Sequence, residues 1–175
     1  MSGAASARQK YAVCTTARLE LIALDARLLE LWVRDLPALE RELGIVCRAE
    51  PLEGDFLGIV RGQLAVTQRD PENYLWHSFW LLVRRSDGVT VGSADFKAPP
   101  DAGGETEIGY GLGKAYEHCG YMTEAVGAMC AWALAQPGVR HVIAETERDN
   151  LASRRVLERC GFSEYRENDT IWWRR

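Results

Sequence analysis

No hydrophobic run approaches the roughly 20 residues that a bilayer-spanning helix needs, and the opening MSGAASARQKYAVC lacks the apolar core of a secretory signal. A cytoplasmic protein is the expectation. Histidine is scarce, three in 175 residues, and neither HExxH nor a cluster of His and Cys occurs, so no metal is expected. The five cysteines, Cys14, Cys47, Cys119, Cys130 and Cys160, are odd in number, widely spaced and without a CxxC pair. That fits neither a disulfide framework nor a zinc site, and reduced thiols follow. No Lys/Arg run is long enough for a basic stripe, and formal net charge is -4, which argues against nucleic acid or a membrane surface as partner. The nucleotide loops GxxxxGKS/T and GxGxxG are missing as well, and there is no internal repeat.

What is present is ordinary globular composition, 47% hydrophobic and 26% charged, at a length that suits one domain over 1–175, with 1–16 flexible or partly ordered. Ala17 to Leu24 reads as a strand, and Asp25 as a helix cap. Apolar positions Leu28, Leu29, Trp32, Val33, Leu36, Leu39 and Leu43 keep near-helical spacing across Pro37, which predicts two short helices. A third is expected from about Phe56 to Val66. Strands follow at Trp76–Arg84, Val89–Lys97 and Glu105–Leu112, joined closely enough to form an antiparallel meander. From Gly120 the period changes: Val126, Met129, Cys130, Ala133 and Leu134 share one helix face. His141–Thr146 reads as a strand, Asn150 caps a helix through Cys160, and Phe162–Trp173 offers one or two strands. The fold class is α/β, with a sheet of mixed direction and flanking helices.

The most informative stretch is Glu105-Thr-Glu-Ile-Gly-Tyr-Gly-Leu112 followed by Glu117-His-Cys-Gly-Tyr-Met-Thr-Glu-Ala-Val126. A strand enters a loop whose glycine stands at the start of an amphipathic helix. Free N–H groups around Gly120, Tyr121 and Met122 there meet the positive end of the helix dipole, an arrangement that accepts phosphate, and Gly120 has no Cβ to hold it off. Gly109 and Gly111 favour a bulge in the strand, which would open the sheet and leave donors unpaired, one near Tyr110.

Three blocks in order, Glu107-Ile-Gly-Tyr-Gly, Gly120-Tyr-Met-Thr-Glu-Ala-Val126 and Asn150-Leu-Ala-Ser-Arg-Arg-Val-Leu-Glu-Arg-Cys-Gly-Phe162, resemble the GCN5-related N-acetyltransferases (GNAT), closest to the branch with the ribosomal-protein N-terminal acetyltransferases. The resemblance implies a central sheet, mostly antiparallel, with one splayed parallel strand pair. It implies acetyl-CoA as cosubstrate without a metal, and direct transfer of acetyl to a primary amine, a protein N-terminus or a small molecule, in a ternary complex of a monomer or homodimer. Ile108, Tyr110, Cys119, Gly120, Tyr121, Met122, Thr123, Asn150 and Ser153 become the cofactor-binding candidates. Glu107 and Ser153 become the catalytic ones. The chain departs from the family's Q/R-x-x-G-x-G/A loop in having Glu117 first and Met122 where a small residue is usual. Lys114, Arg154 or Arg155 are candidates for the missing positive charge. A non-catalytic acyl-CoA sensor or partner-binding domain is the alternative.

Attack on a thioester needs a neutral amine, which costs about 1.4 kcal/mol near pH 7 for an α-amine and about 4.6 kcal/mol for a lysine side chain. Strand alternation puts Glu107 on the face of Glu105 and Gly109, beside the expected opening, as base, directly or through water, or else as a carboxylate that only binds the cationic acceptor. The departing thiolate benefits from a donor. Many relatives use a tyrosine, but none occurs from Leu151 to Phe162; the resemblance implies that the Ser153 hydroxyl can approach the sulfur, and the alternative is an exposed helical serine. Asn150 is either an N-cap or a ligand of the cofactor arm. Trp76, His77, Phe79 and Trp80, with Trp32, are candidates for either an acceptor cleft or plain core. Glu105, Glu107 and Glu124 could attract a cation there.

Overall fold

A computed structural model describes residues 8–175; the first part of the expected flexible start, 1–7, lies outside the described residues. Within that start a strand already forms, β1 (Ala12–Thr15), which pairs antiparallel with β2 (Leu19–Ala23). Helices α1 (Ala26–Arg34) and α2 (Leu36–Leu43) meet where Pro37 was expected to divide them. Asp25 caps α1 by accepting the Leu28 N–H at 2.8 Å, and Asp35 caps α2 through the Ala38 N–H at 3.0 Å. Proline is tolerated at the start of α2 because a first-turn N–H has no helical partner to lose.

The short β3 (Val46–Cys47) leads to α3 (Gly54–Arg69), longer at both ends than the apolar periodicity showed. The expected strand over Trp76–Arg84 divides: Trp76 and His77 belong to a short helix, α4 (Tyr74–His77), and β4 runs Phe79–Arg84. The Trp80 indole N–H donates to the Leu75 carbonyl at 3.1 Å, holding the turn against the strand. Then come β5 (Val89–Phe96), β6 (Glu105–Leu112), α5 (Tyr121–Leu134), β7 (His141–Thr146), α6 (Leu151–Arg159), β8 (Ser163–Glu167) and β9 (Ile171–Arg174).

One nine-stranded sheet has the order β1-β2-β4-β5-β6-β7-β9-β8, with β3 alongside β5. Most neighbours are antiparallel. The exceptions are β3 with β5 and the central pair β6 with β7, and the second of these positions the site. Two cores lie on opposite faces. Trp80, Leu82, Phe96 and Ile108 pack beneath α5 and α6, while Ile22, Leu81 and Val83 pack beneath α1–α3. Strand β4, buried on both faces, therefore reads Phe-Trp-Leu-Leu-Val without polar alternation. Of the aromatics weighed for a cleft, Trp76 and Trp80 belong to the α5 face, with ring centroids 4.8 and 5.0 Å from Trp132. Trp173 is buried in β9 and donates to Thr146 Oγ1 at 2.9 Å.

Candidate active site

Strands β6 and β7 pair in register only over Glu105↔His141, Thr106↔Val142 and Glu107↔Ile143. Beyond that point β6 continues to Leu112 with no strand on its β7 side, so the central sheet opens into a V. The expected bulge is not the cause. Pairing of β6 with β5 runs without a register shift from Phe96↔Ile108 to Gly92↔Leu112. Lys97 donates to the Glu107 carbonyl and Gly113 to that of Val91, so odd-numbered residues of β6 bond to β5 and even-numbered ones, Tyr110 and Leu112, turn their N–H groups into the opening. Opening comes from divergence of the parallel pair.

The two β6 glycines have another use. A Cβ on Gly109 would stand 2.8 Å from Asp95 Oδ1, and one on Gly111 4.0 Å from Glu50 Oε2. The bare backbone of Gly109 makes room for the Asp95 carboxylate on the α1–α3 face of the sheet, whereas a side chain at Gly111 would only touch Glu50.

At the mouth of the V stands the N-terminus of α5. Gly120 is its N-cap in the left-handed conformation, φ 77°, and no side chain caps the helix, so the first-turn N–H groups face outward. Met122 is buried in the core and offers only its N–H; the Thr123 carbonyl accepts from Cys160 Sγ at 3.3 Å. Cys119 is exposed, and its carbonyl accepts from Arg18 Nη1 at 2.9 Å. Arg18, on the β1–β2 turn, also pairs with Glu124 at 2.7 Å, stacks 4.6 Å from the Tyr121 ring centroid and approaches within 3.4 Å of a Cβ built on Gly120. A positive charge beside this helix start thus comes from Arg18, some hundred residues away in sequence. Arg154 is committed to Glu164 at 3.1 Å and to the Arg148 carbonyl. Burial alone would raise the Glu124 carboxyl, but the Thr16 hydroxyl and Arg18 hold it below its usual range.

Across the opening, Asn150 is the N-cap of α6 and accepts the Ser153 N–H on Oδ1 at 3.0 Å. That leaves its amide N–H₂ unused by the cap, so the cap role and a ligand role are compatible. Ser153 Oγ lies 2.7 Å from the Tyr110 hydroxyl. No tyrosine lies along α6, but Tyr110 of β6 reaches Ser153 through space. The signal was there, because alternation sends Tyr110 to the side of Thr106 and Ile108, the α6 side. Burial pushes the Tyr110 hydroxyl up to about 12 against the opposing pull of Ser153.

Glu107 lies on the other face, where Oε1 pairs with Lys97 Nζ at 2.6 Å. Its neighbour Asp95, which sequence reasoning did not select, is 7% exposed and has one side-chain hydrogen bond, from Gln63 at 3.4 Å. Burial pushes the Asp95 carboxyl up to about 6, opposed by Gln63 and Lys97 and reinforced by Glu107. Asp95, with Lys97 but not Glu107, lines a cleft of about 680 Å³, walled by Trp32, Phe56 and Phe79 from α1, α3 and β4. These three rings pack edge to face, with centroids 5.7–6.0 Å apart. Trp32 and Phe79 thus line the cleft as weighed, whereas Trp76, Trp80 and His77 do not; His77 bonds Asp70 at 3.0 Å. Glu105 is held by Arg174 at 2.8 Å and Glu124 by Arg18, so neither is free to attract a cation. Among the described residues no group of three or more His, Cys, Asp or Glu could hold a metal ion, and no helix is long and apolar enough to cross a membrane.

A central sheet splayed at one parallel pair, with an uncapped helix start at its mouth, is the architecture of the GNAT acetyltransferases. The family model described as "Acetyltransferase (GNAT) domain" matches residues 52–163, and the chain belongs to that family. A curated relative, the uncharacterized N-acetyltransferase YjdG of Bacillus subtilis strain 168, is 30% identical over 149 residues, covering 84% of this chain and 87% of that one. Among solved structures, RimL, a ribosomal L7/L12 alpha-N-protein acetyltransferase in complex with coenzyme A, superposes with TM-score 0.64 at 19% identity over 94% of this chain and 97% of its own. The ribosomal-protein-S5-alanine acetyltransferase of Vibrio fischeri gives TM-score 0.65 at 15% identity, over 93% and 94%. The structural likenesses establish the fold; the family establishes an N-acetyltransferase.

Proposed function

We propose that this chain transfers acetyl from acetyl-CoA directly to a primary amine, with both substrates bound at once. The observation that carries the reading is the coincidence of an unpaired β6 edge with an uncapped helix start at the same opening. The first-turn N–H groups at Tyr121, Met122 and Thr123, with Gly120, would hold the diphosphate. Cys119 contributes to the rim through its backbone. Ile108, immediately past the last β7-paired residue, and Tyr110 would hold the pantetheine arm along the strand edge. The Tyr110 N–H then faces the thioester carbonyl, where negative charge grows during attack. Acetyl-CoA supplies the activated acyl group and a thiolate leaving group.

On the α6 side, Asn150 would fix the arm, and the Tyr110–Ser153 hydroxyl pair would donate to the sulfur. A hydroxyl held near 12 stabilises a sulfur anion by hydrogen bonding better than it protonates one outright. On the opposite face, the amine proton passes to a carboxylate, Glu107 or its neighbour Asp95. RimL, the relative solved with coenzyme A, is a protein N-terminal acetyltransferase by its description, which places peptide N-termini first in the panel of acceptors.

The test is thiol release from acetyl-CoA against a panel of peptides, amino acid amides and small amines. Acyl transfer to at least one of them, with no turnover in their absence, is the expected result. Stabilisation of melting by acetyl-CoA without transfer to any amine would favour a non-catalytic acyl-CoA sensor instead.

A further inference from the structure

We propose that Asp95, rather than Glu107, takes the proton of the acceptor amine, and that the cleft it floors selects a primary amine carried on an apolar, preferably aromatic, group. The inference rests on the acetyl-transfer reading and adds to it a base and a substrate class.

Three observations point the same way. Glu107 has already spent its charge on Lys97 at 2.6 Å, so an incoming ammonium would have to displace a resident one. Asp95 is more than nine-tenths buried at the bottom of the cleft, and its single long hydrogen bond from Gln63 leaves most of its acceptor capacity open. Gly109 lets that carboxylate lie directly against the strand, since a Cβ there would stand 2.8 Å from Asp95 Oδ1. The walls decide the rest. Trp32, Phe56, Phe79 and Leu52 make the lining mainly apolar, with polar groups such as Arg34, Glu50 and Ser93 among them, so an apolar amine carrier gains a large buried contact there.

The charged groups facing Asp95 are few: Lys97 from its own strand, Glu107 from β6, and Gln63 as a neutral donor from α3, with Glu50 and Arg34 on the outer wall. In the step itself, Asp95 removes one proton from the ammonium. The freed lone pair forms the C–N bond to the acetyl carbon, the C–S bond breaks, and the nitrogen's second surplus proton goes to the departing thiolate. Asp95 then returns its proton to water, so the balance is ammonium plus acetyl-CoA giving amide, CoA and one proton.

The experiment measures kcat and KM across pH with acetyl-CoA and three amines: 2-phenylethylamine, phenylalanine amide and ethylamine. Wild type should prefer both phenyl carriers to ethylamine by about tenfold or more in kcat/KM, from ring burial. Which of the two phenyl carriers is better tells a free amine from a peptide end. The acid limb of kcat/KM should fall near pH 6. In Asp95→Asn that limb should vanish and kcat drop by about 100-fold or more, while acetyl-CoA affinity stays. Glu107→Gln frees Lys97 for Asp95, which should move the limb to lower pH without removing it. Should Asp95→Asn not fold, Gln63→Met serves, moving the limb to higher pH by removing a donor to the carboxylate. Equal rates for all three amines, an Asp95→Asn enzyme with unchanged turnover, or a limb unmoved by Gln63→Met overturns the inference. A wild type that acetylates no amine removes the underlying reading too, and so is told apart from these.

Discussion

The two faces of strand β6 carry different chemistry from one eight-residue segment. Even-numbered residues, Thr106, Ile108 and Tyr110, meet α5 and α6 in a largely dry layer where the polar contact is a hydroxyl pair with Ser153. Odd-numbered residues, Glu107, Gly109 and Gly111, face the side where Asp95 lies against Gly109 and Glu107 is paired with Lys97. Between them, the strand edge faces the gap left by β7. On the proposed reading, a period of two separates the thioester side from the amine side across a single backbone, as direct transfer would need.

That separation can be broken from either side. Gly120→Val should have the largest effect beyond the Asp95 series. A β-branched residue at φ 77° costs about 1–2 kcal/mol and crowds Arg18, so acetyl-CoA affinity should fall by about tenfold or more in calorimetric titration while the amine KM is unchanged. A change confined to the amine KM would place the thioester carrier elsewhere. Next, Ser153→Ala and Tyr110→Phe should each lower kcat by about tenfold, and the double variant should lose little more, because the hydroxyls act as one unit. Full additivity would mean two independent donors.

The smallest effect concerns stability. The folded-state pKa of Glu124 lies below its unfolded value, so its stabilisation is present above the unfolded carboxyl pKa and is lost as pH falls through the folded one. Arg18 is about half exposed, which limits the pair to less than about 1 kcal/mol. Denaturant titrations at neutral and acid pH should therefore show wild type losing slightly more stability on acidification than Glu124→Gln. An identical loss would mean that the turn anchoring Arg18 is held by other contacts.

The local features were legible in the sequence and the contacts made through space were not, for physical reasons. Helix starts, caps and strand edges are local: Asn150, Gly120 and the run from Glu105 to Leu112 lie where spacing and residue type place them. The Gly109/Gly111 pair was visible too, but its meaning was not. A glycine in a strand fits a bulge and a close approach equally well, and the choice depends on Asp95, which arrives from another strand. Arg18 shows the same limit, since pairing of β1 with β2 carries it to a helix whose start lies about a hundred residues on. Trp76 and His77 read as strand because their apolar run continues into β4, and the helical turn that removes them has no local marker beyond Pro71.

The central claim is that the inward amides of β6 and the first turn of α5 hold acetyl-CoA. Residue-resolved amide hydrogen exchange, with and without that ligand, measures it most directly. Exchange should slow at Tyr110 and at Tyr121, Met122 and Thr123, and stay unchanged at Gly109 and Gly111, whose bonds to β5 are already made. Protection spread equally over odd and even residues of β6, or absent from both segments under saturating acetyl-CoA, would contradict the account.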